Sequence, residues 1–388
     1  MLRHLMEMAS SSDDGGHLPS ERELAETMSV SRPTVRAVLG NLQEMGYIQP
    51  HGLRGRRLCF PADRAEDLQD RVDAGPRTLL DNTVVLLTDR PAGEDDANLN
   101  PASDAMIEAA LLGRVRSLGG NVMAISPDSL TVETLRVLVA QRPRAVVGLR
   151  DMSGSRISRQ ARTRFAQAKV PVVIYGSDPQ PDVAARVGSD HRAGSALLTE
   201  WLTERGCRRI LPVWTEFGLE APPRPWVAQR QQGYRDACRA RGVAELPPVR
   251  ITLAGTITDA RRRPDAFDHA VRQITGFLID KVRGPDPVDA LIATSDHHAA
   301  LLAEVCRRLG VDPQRDLTIV GYDHNLAPAF AWDDTPYRPA ATVDKNNREV
   351  GRALAEAALA IRVTDGREPP AEKPRLVEPK LIVHPRSL

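Results

Sequence analysis

The sequence predicts an α/β protein in which a small helical unit with a two-stranded wing precedes a large unit of parallel sheets. Three observations carry this. Residues 1–60 hold short helices separated by dense cap and turn signals. Residues 61–81 are charged, poor in apolar residues and bracketed by Pro61 and Pro76, as a linker is. From Thr83 onward, short apolar runs alternate with helical stretches, the pattern of βαβ units. The expected division is therefore 1–60, a linker over 61–81, and 82–388. A chain of 388 residues suits two or three domains, and about 300 residues of α/β pattern is too much for one small doubly wound sheet, so two lobes are expected there.

In the first unit, Ser20-Glu21-Arg22-Glu23 is a capping box preceded by Pro19. It opens a short helix over Glu21–Thr27. Met28-Ser29-Val30 then leads to Ser31, a second N-cap, and a helix that runs to Met45 and stops at Gly46. Val35, Val38, Leu39, Leu42 and Met45 recur at helical spacing and form one core stripe, leaving Arg32, Thr34 and Arg36 outside it near the N-terminal end. Two short helices, a tight turn and an exposed basic helix start constitute a helix-turn-helix. Tyr47-Ile48-Gln49, a turn over residues 50–55, and Arg56–Phe60 read as a wing with a basic tip.

Net charge is only +1, so bulk charge does not announce a nucleic-acid partner, but its distribution does. Residues 31–58 carry five arginines (32, 36, 54, 56, 57) against one acid, Glu44. Positive charge thus concentrates on the second helix and wing, as a phosphate-facing surface requires. There are five lysines (169, 281, 345, 373, 380), so the first 168 residues contain none, and cationic contacts there come from the bidentate guanidinium.

In the second unit the predicted strands and helices alternate as Val84–Thr88 and Ala102–Leu118, Ala145–Leu149 and Arg156–Ala168, Val172–Tyr175 and Arg192–Arg205. They continue as Ile210–Val213 and Ala228–Arg241, Val249–Leu253 and Ala266–Val282, Ala290–Thr294 and His298–Leu309, ending on the strand Thr318–Tyr322. No nucleotide loop, metalloprotease helix or nucleophile elbow occurs, so no catalytic residue and no cofactor is assigned. His297 and His298 are adjacent and diverge on a helix, so they do not read as a metal pair. The four cysteines lie far apart, which fits a reducing cytoplasm and no metal site. No apolar run reaches the length of a membrane span, and the first residues lack a signal-type core, which argues against export.

The segment LPSERELAETMSVSRPTVRAVLGNLQEMGYIQPHG resembles the winged helix-turn-helix of the GntR family of bacterial regulators, gap-free over residues 18–60. The resemblance implies DNA contacts from Arg22, Ser31, Arg32, Thr34, Arg36, His51 and Gly52, and the basic wing tip adds Arg54 as a phosphate contact. Two departures stand out. The family's first helix is longer than Leu2–Ala9 allows, and Pro33 replaces one polar position early in the recognition helix. Each residue also has a plainer reading: an exposed arginine is usually just solvated, and His51 can simply occupy a turn.

The second unit, over residues 82–388, resembles the LacI-type effector domain related to sugar-binding periplasmic proteins. The resemblance is carried by VGSDHRAGSALLTEWLTERGCRRILPV, RQQGYRDACRARGV, DALIATSDHHAALLAEVCRRLGV, DLTIVGYDH, ATVDKNNREVGRALAEAAL and the ending LVEPKLIVHPRSL. It implies a type I periplasmic-binding-protein-like fold, two Rossmann-like lobes crossed by three strands with ligand in the cleft. By motif position, Arg230 matches the ligand-gripping arginine and Asp323 the sugar-hydroxyl acceptor. Ser295 stands where asparagine is common. Tyr175 and Trp226 are candidates to stack on a ring. The plainer readings remain open beside these: Arg230 paired with an acid, Asp323 ordering its loop, Tyr175 and Trp226 in core or rim.

Together these imply a cytoplasmic transcription regulator rather than an enzyme: a repressor that binds double-stranded operator DNA as a homodimer, with half-sites ~34 Å apart, and is released by a small-molecule effector, a sugar or related polar metabolite. The alternative is a regulator with a vestigial pocket that answers to a protein partner or acts constitutively. A carbohydrate-active or transferase domain lacks any catalytic constellation, and a pyridoxal-phosphate domain lacks a lysine in an aminotransferase context.

Overall fold

The computed structural model describes residues 18–27, 30–44, 48–51, 55–58, 80–88, 101–126, 129–149, 156–177, 182–217, 225–253, 260, 263–324, 337–361 and 373–385. The chain divides into two compact units, Met1–Thr78 and Leu79–Leu388.

In the first unit, helix α1 (Glu21–Thr27) begins at the predicted capping box. The Ser20 backbone N–H donates to Glu23 Oε2 at 2.9 Å and the Glu23 N–H returns to Ser20 Oγ at 3.3 Å, so two otherwise orphaned donors are satisfied. Helix α2 (Arg32–Glu44) follows, with Val35 and Leu39 buried, as are Leu24 and Ala25 of α1 and Ile48 beyond it. The side chains of Val38, Leu42 and Met45, the rest of the predicted stripe, lie outside the described set. Strands β1 (Ile48–His51) and β2 (Gly55–Leu58) pair antiparallel, Ile48 opposite Leu58 and His51 opposite Gly55. The wing turn is therefore shorter than predicted. Pro50 and His51 belong to β1, because a two-stranded ribbon has an open edge where a proline's missing N–H costs no ladder bond.

The second unit holds two α/β lobes. The first is a six-stranded parallel sheet of β3 (Thr83–Leu87), β4 (Asn121–Ile125), β5 (Ala145–Gly148), β6 (Val172–Tyr175), β7 (Ala185–Ser189) and β13 (Arg375–Val377), in the order β13-β7-β6-β5-β3-β4. Its central strands are buried on both faces, so alternate residues serve two cores. Val84 and Leu86 meet α3 (Pro101–Ser117) and α10 (Asn347–Ala360) through Ile107, Leu111, Val350 and Leu354. Val85 and Leu87 meet α4 (Val132–Ala140) and α5 (Arg156–Gln167) through Leu135, Leu138, Ala161 and Phe165.

The second lobe is a four-stranded parallel sheet, β11-β10-β8-β9, from β8 (Ile210–Phe217), β9 (Val249–Leu253), β10 (Ala290–Ala293) and β11 (Thr318–Val320). Leu211 and Leu291 face α8 (Pro264–Arg283) and α9 (Asp296–Arg308). Ile210 and Trp214 face α6 (His191–Glu204) and α7 (Pro225–Arg241). Helices α6 and α7 touch closely enough that a Cβ on Gly233 would stand 2.0 Å from the Arg192 carbonyl oxygen, so only glycine fits there. The predicted strand Thr318–Tyr322 ends at Val320. The chain turns away through Asp323 and His324, both at positive φ (86° and 48°), which breaks the extended path.

Three segments cross between the lobes: β7 into α6, β12 (Ala341–Asp344) into α10, and β13 into β14 (Lys380–Val383), the last pairing antiparallel with β12. They are tied together. Ser189 Oγ donates to the Lys345 carbonyl at 3.0 Å, and the Asp190 N–H to the Val377 carbonyl at 3.0 Å. Cys207, Cys238 and Cys306 are buried free thiols, and no described helix is long and apolar enough to cross a membrane.

Candidate functional site

Two places gather the residues singled out above. On the first unit, Ser31 and Arg32 open α2 fully exposed, with Pro33 in the first turn, where its missing N–H is harmless. Arg22 is exposed on α1, with Glu26 3.9 Å away one turn on. Arg36 is exposed but engaged: its Nε and Nη2 both donate to Glu21 Oε2, at 3.1 and 2.9 Å. The backbone of Thr34 lies in the first turn of α2 and that of His51 in β1, but their side chains, and the whole of Gly52 and Arg54, lie outside the described residues.

On the second unit, Arg230 of α7 and Asp323, just past β11, meet beside the crossing segments. Helix α7 starts three residues earlier than predicted, at Pro225, a good first helical residue. This puts Trp226 one turn before Arg230 on the same face. The Arg230 guanidinium is sandwiched, 4.3 Å from the Trp226 ring centre and 3.4 Å from that of Tyr322. Its Nη1 donates to the Thr294 carbonyl at 2.6 Å, its Nε faces His191 Nδ1 at 3.4 Å, and its Nη2 lies 3.5 Å from Asp323 Oδ1. The same Asp323 oxygen lies 3.1 Å from Lys345 Nζ. Tyr322 is itself held by close packing, since a Cβ on Gly194 of α6 would sit 2.2 Å from its hydroxyl oxygen.

The electrostatics follow from this burial. Burial alone would raise the Asp323 carboxyl, but the Lys345 ammonium and Arg230 guanidinium outweigh it and hold it at about 2. Lys345 is pulled down by burial and more strongly raised by Asp323, so it stays charged. His191 is held well below its ordinary value by burial and by the two cations, and so stands neutral, its Nδ1 accepting from Arg230. Burial pushes the Tyr322 phenol up to about 12.

The other candidates are placed differently. Ser295 caps α9: its Oγ accepts from the His298 N–H at 3.4 Å and bonds the His298 ring at 2.7 Å. His297 and His298 are buried rather than on a polar helix face, because the start of α9 lies under Gly321 and the crossing segments. Burial, with His297 beside it, drops His298 to about 3. Among the described residues no group of histidine, cysteine or acidic side chains could hold a metal. Tyr175 is half-buried at the end of β6, against the first-lobe core. Between the lobes, Gln229 Nε2 on α7 donates to Ser177 Oγ of the first lobe at 2.6 Å. His191, Tyr322 and Lys345 are site residues that sequence reasoning missed. Lys345 carried one usable signal, a rare lysine in an arginine-rich chain.

Comparison with known proteins gives separate matches for the two units. Residues 11–57 match the family model of the gntR family of bacterial regulatory proteins, and residues 199–384 that of the periplasmic binding protein-like domain. Over 74 residues the chain is 39% identical to the HTH-type transcriptional regulator Rv0792c of Mycobacterium tuberculosis, a match covering 19% of this chain and 24% of that protein, so it spans about a quarter of the curated relative. Among solved structures, a LacI-family regulatory protein from Chloroflexus aggregans is 20% identical at a TM-score of 0.55, covering 78% of this chain and 98% of that one. The transcriptional regulator CelR in complex with cellobiose is 20% identical at 0.53, covering 94% and 99%. A GntR transcription regulator from Chromobacterium violaceum is 21% identical at 0.51, covering 78% and 97%. At these identities the structures establish the fold, and that fold is the one expected from the sequence.

Proposed function

We propose that this chain, which joins a gntR-type helix-turn-helix to a periplasmic-binding-protein-like domain of LacI-type fold, is a DNA-binding transcriptional regulator controlled by a small molecule. It acts in the cytoplasm as a homodimeric repressor on double-stranded operator DNA, and catalyses no reaction. The observations that carry the reading are an exposed, arginine-bearing start to α2 and, in the second unit, the convergence of Arg230 and Asp323 from separate elements. Arg22, Ser31, Arg32, Thr34, Arg36, His51 and Gly52 make the DNA contacts and Arg54 a phosphate contact. Arg230 and Asp323 grip the effector, with Trp226 and Tyr175 flanking it and Ser295 supporting the cleft floor. Effector binding changes the angle between the lobes and so the fit to two half-sites.

The experiment is operator selection from a random DNA pool with the full chain, followed by binding at several salt concentrations and with candidate effectors. Sequence-selective, salt-sensitive binding that weakens in the presence of one small-molecule class is the expected result. Selection of no sequence overturns the DNA reading. The alternative of a pocket with no effector is favoured by one observation, that Arg230 already has partners on every side. Selective DNA binding that no small molecule alters would support it.

A further inference from the structure

Resting on that effector reading, we propose that the cleft takes an anionic ligand, a sugar-sized molecule bearing one carboxylate or phosphate, and that Lys345 is its charge partner. Lys345 stands at the crossing from β12 into α10 and is nine-tenths buried. Its ammonium shares one carboxylate oxygen, Asp323 Oδ1, with Arg230. Two cations thus face one acid.

The neighbouring groups do not make up the difference. His191 stays neutral. Asp190 and Asp296 are carboxylates nearby, accepting from the Ala193 N–H at 2.8 Å and the Thr342 hydroxyl at 2.6 Å, but the acid that faces Lys345 is Asp323. A buried cation that shares its acid oxygen with a second cation is incompletely paired, and an anion brought by a ligand would complete it.

Lys345 is also the cation with capacity to spare. Arg230 is stacked on both faces and directs its nitrogens at Thr294, His191 and Asp323. An ammonium is a compact point charge with three donors, and Asp323 occupies one of them. Two residues further along the same crossing, the Asn347 amide is buried with no hydrogen-bond partner for its nitrogen or its oxygen among the described residues. An uncharged sugar would be served by the balanced Arg230–Asp323 pair alone. The added lysine and the idle amide fit a ligand that brings its own negative charge.

The test uses the full chain in thermal-shift and calorimetric titrations against matched series. These are glucose, glucuronate and glucose 6-phosphate; galactose and galacturonate; and ribose and ribose 5-phosphate, with inorganic phosphate and acetate alone as controls. The expected result is that the acid or the phosphate of one series binds at least about tenfold tighter than its neutral parent and weakens with added salt. The carboxylate and phosphate arms separate the two chemistries. Lys345→Gln should lose that preference and Lys345→Arg should retain it, with the urea midpoint of each variant confirming that it folds. A neutral parent binding as tightly as its anion, an unchanged preference in Lys345→Gln, or inorganic phosphate binding as well as the sugar phosphate would each overturn the proposal while leaving an effector-controlled regulator in place. Failure of every compound, with selective DNA binding intact, would overturn both.

Discussion

Acidification tests the electrostatics of the cleft directly. His298 is buried with a folded-state value of about 3, whereas an exposed histidine in the unfolded chain titrates near 6.5. The groups facing it are His297, Ser295, Asp323 and Arg230. Between those two values the unfolded state binds a proton that the folded state refuses, so stability is full above about pH 6.5 and falls as pH drops. From pH 7 to pH 5 this one residue removes about 2 kcal/mol, and His191, lowered by burial and by Arg230 and Lys345, acts in the same direction. Asp323 has the opposite character. Its carboxyl, depressed to about 2, contributes stability above the ordinary carboxylate value that is lost only below about pH 4. The assay is urea unfolding followed by tryptophan fluorescence. All four tryptophans (201, 214, 226, 332) lie beyond residue 79, so the signal reports the second unit alone. The midpoint should fall by about 1 M over that pH range, and His298→Gln should flatten the fall. An unchanged midpoint from pH 7 to pH 5, or an identical fall in the variant, would refute the assignment of neutral buried histidines.

Other outcomes can be stated more briefly. Gly233→Ala forces a methyl into the Arg192 carbonyl and should destabilise the second unit by about 1–3 kcal/mol, read as a lower urea midpoint with the first unit's helix signal unchanged. Leu354→Ala opens a cavity between α10 and the first-lobe sheet and should cost about 2–5 kcal/mol by the same measurement. Arg32→Ala should cost about 1–3 kcal/mol of DNA binding and relax one base position; equal loss on selected and random DNA would contradict base reading. Arg54→Ala should lower the salt slope of binding by about one unit if it neutralises a phosphate.

The legibility of the fold was uneven for physical reasons. Val172–Tyr175, buried on both faces, stood out as an apolar run, and Val249–Leu253, an edge strand, as an alternation of apolar and exposed polar residues; both keep the predicted limits. Strand β4 went unrecognised because it is an edge strand with exposed Asn121 and Ala124. Strand β7 was hidden by Arg186, Gly188 and Ser189, residues suited to a segment about to leave its sheet. Helix α4, whose Val132-Glu-Thr-Leu-Arg-Val-Leu-Val-Ala carries exposed Val132 and Val137, has no clean helical stripe. In the cleft, Arg230 and Asp323 were marked by their short local motifs. Lys345 and His191 could not be read from any local spacing, because they meet only through two crossings more than 150 residues apart.

The bonds from Ser189 to Lys345 and from Asp190 to Val377 make three passages of chain into a single strap. Three independent tethers would let the lobes slide and twist separately. Bonded across its width, the strap resists the sliding of one passage past another. Lys345 contributes its carbonyl to that bonding and its ammonium to Asp323. A rearrangement of the charges at the side chain therefore acts at the crossing itself, the place where the two lobes are joined.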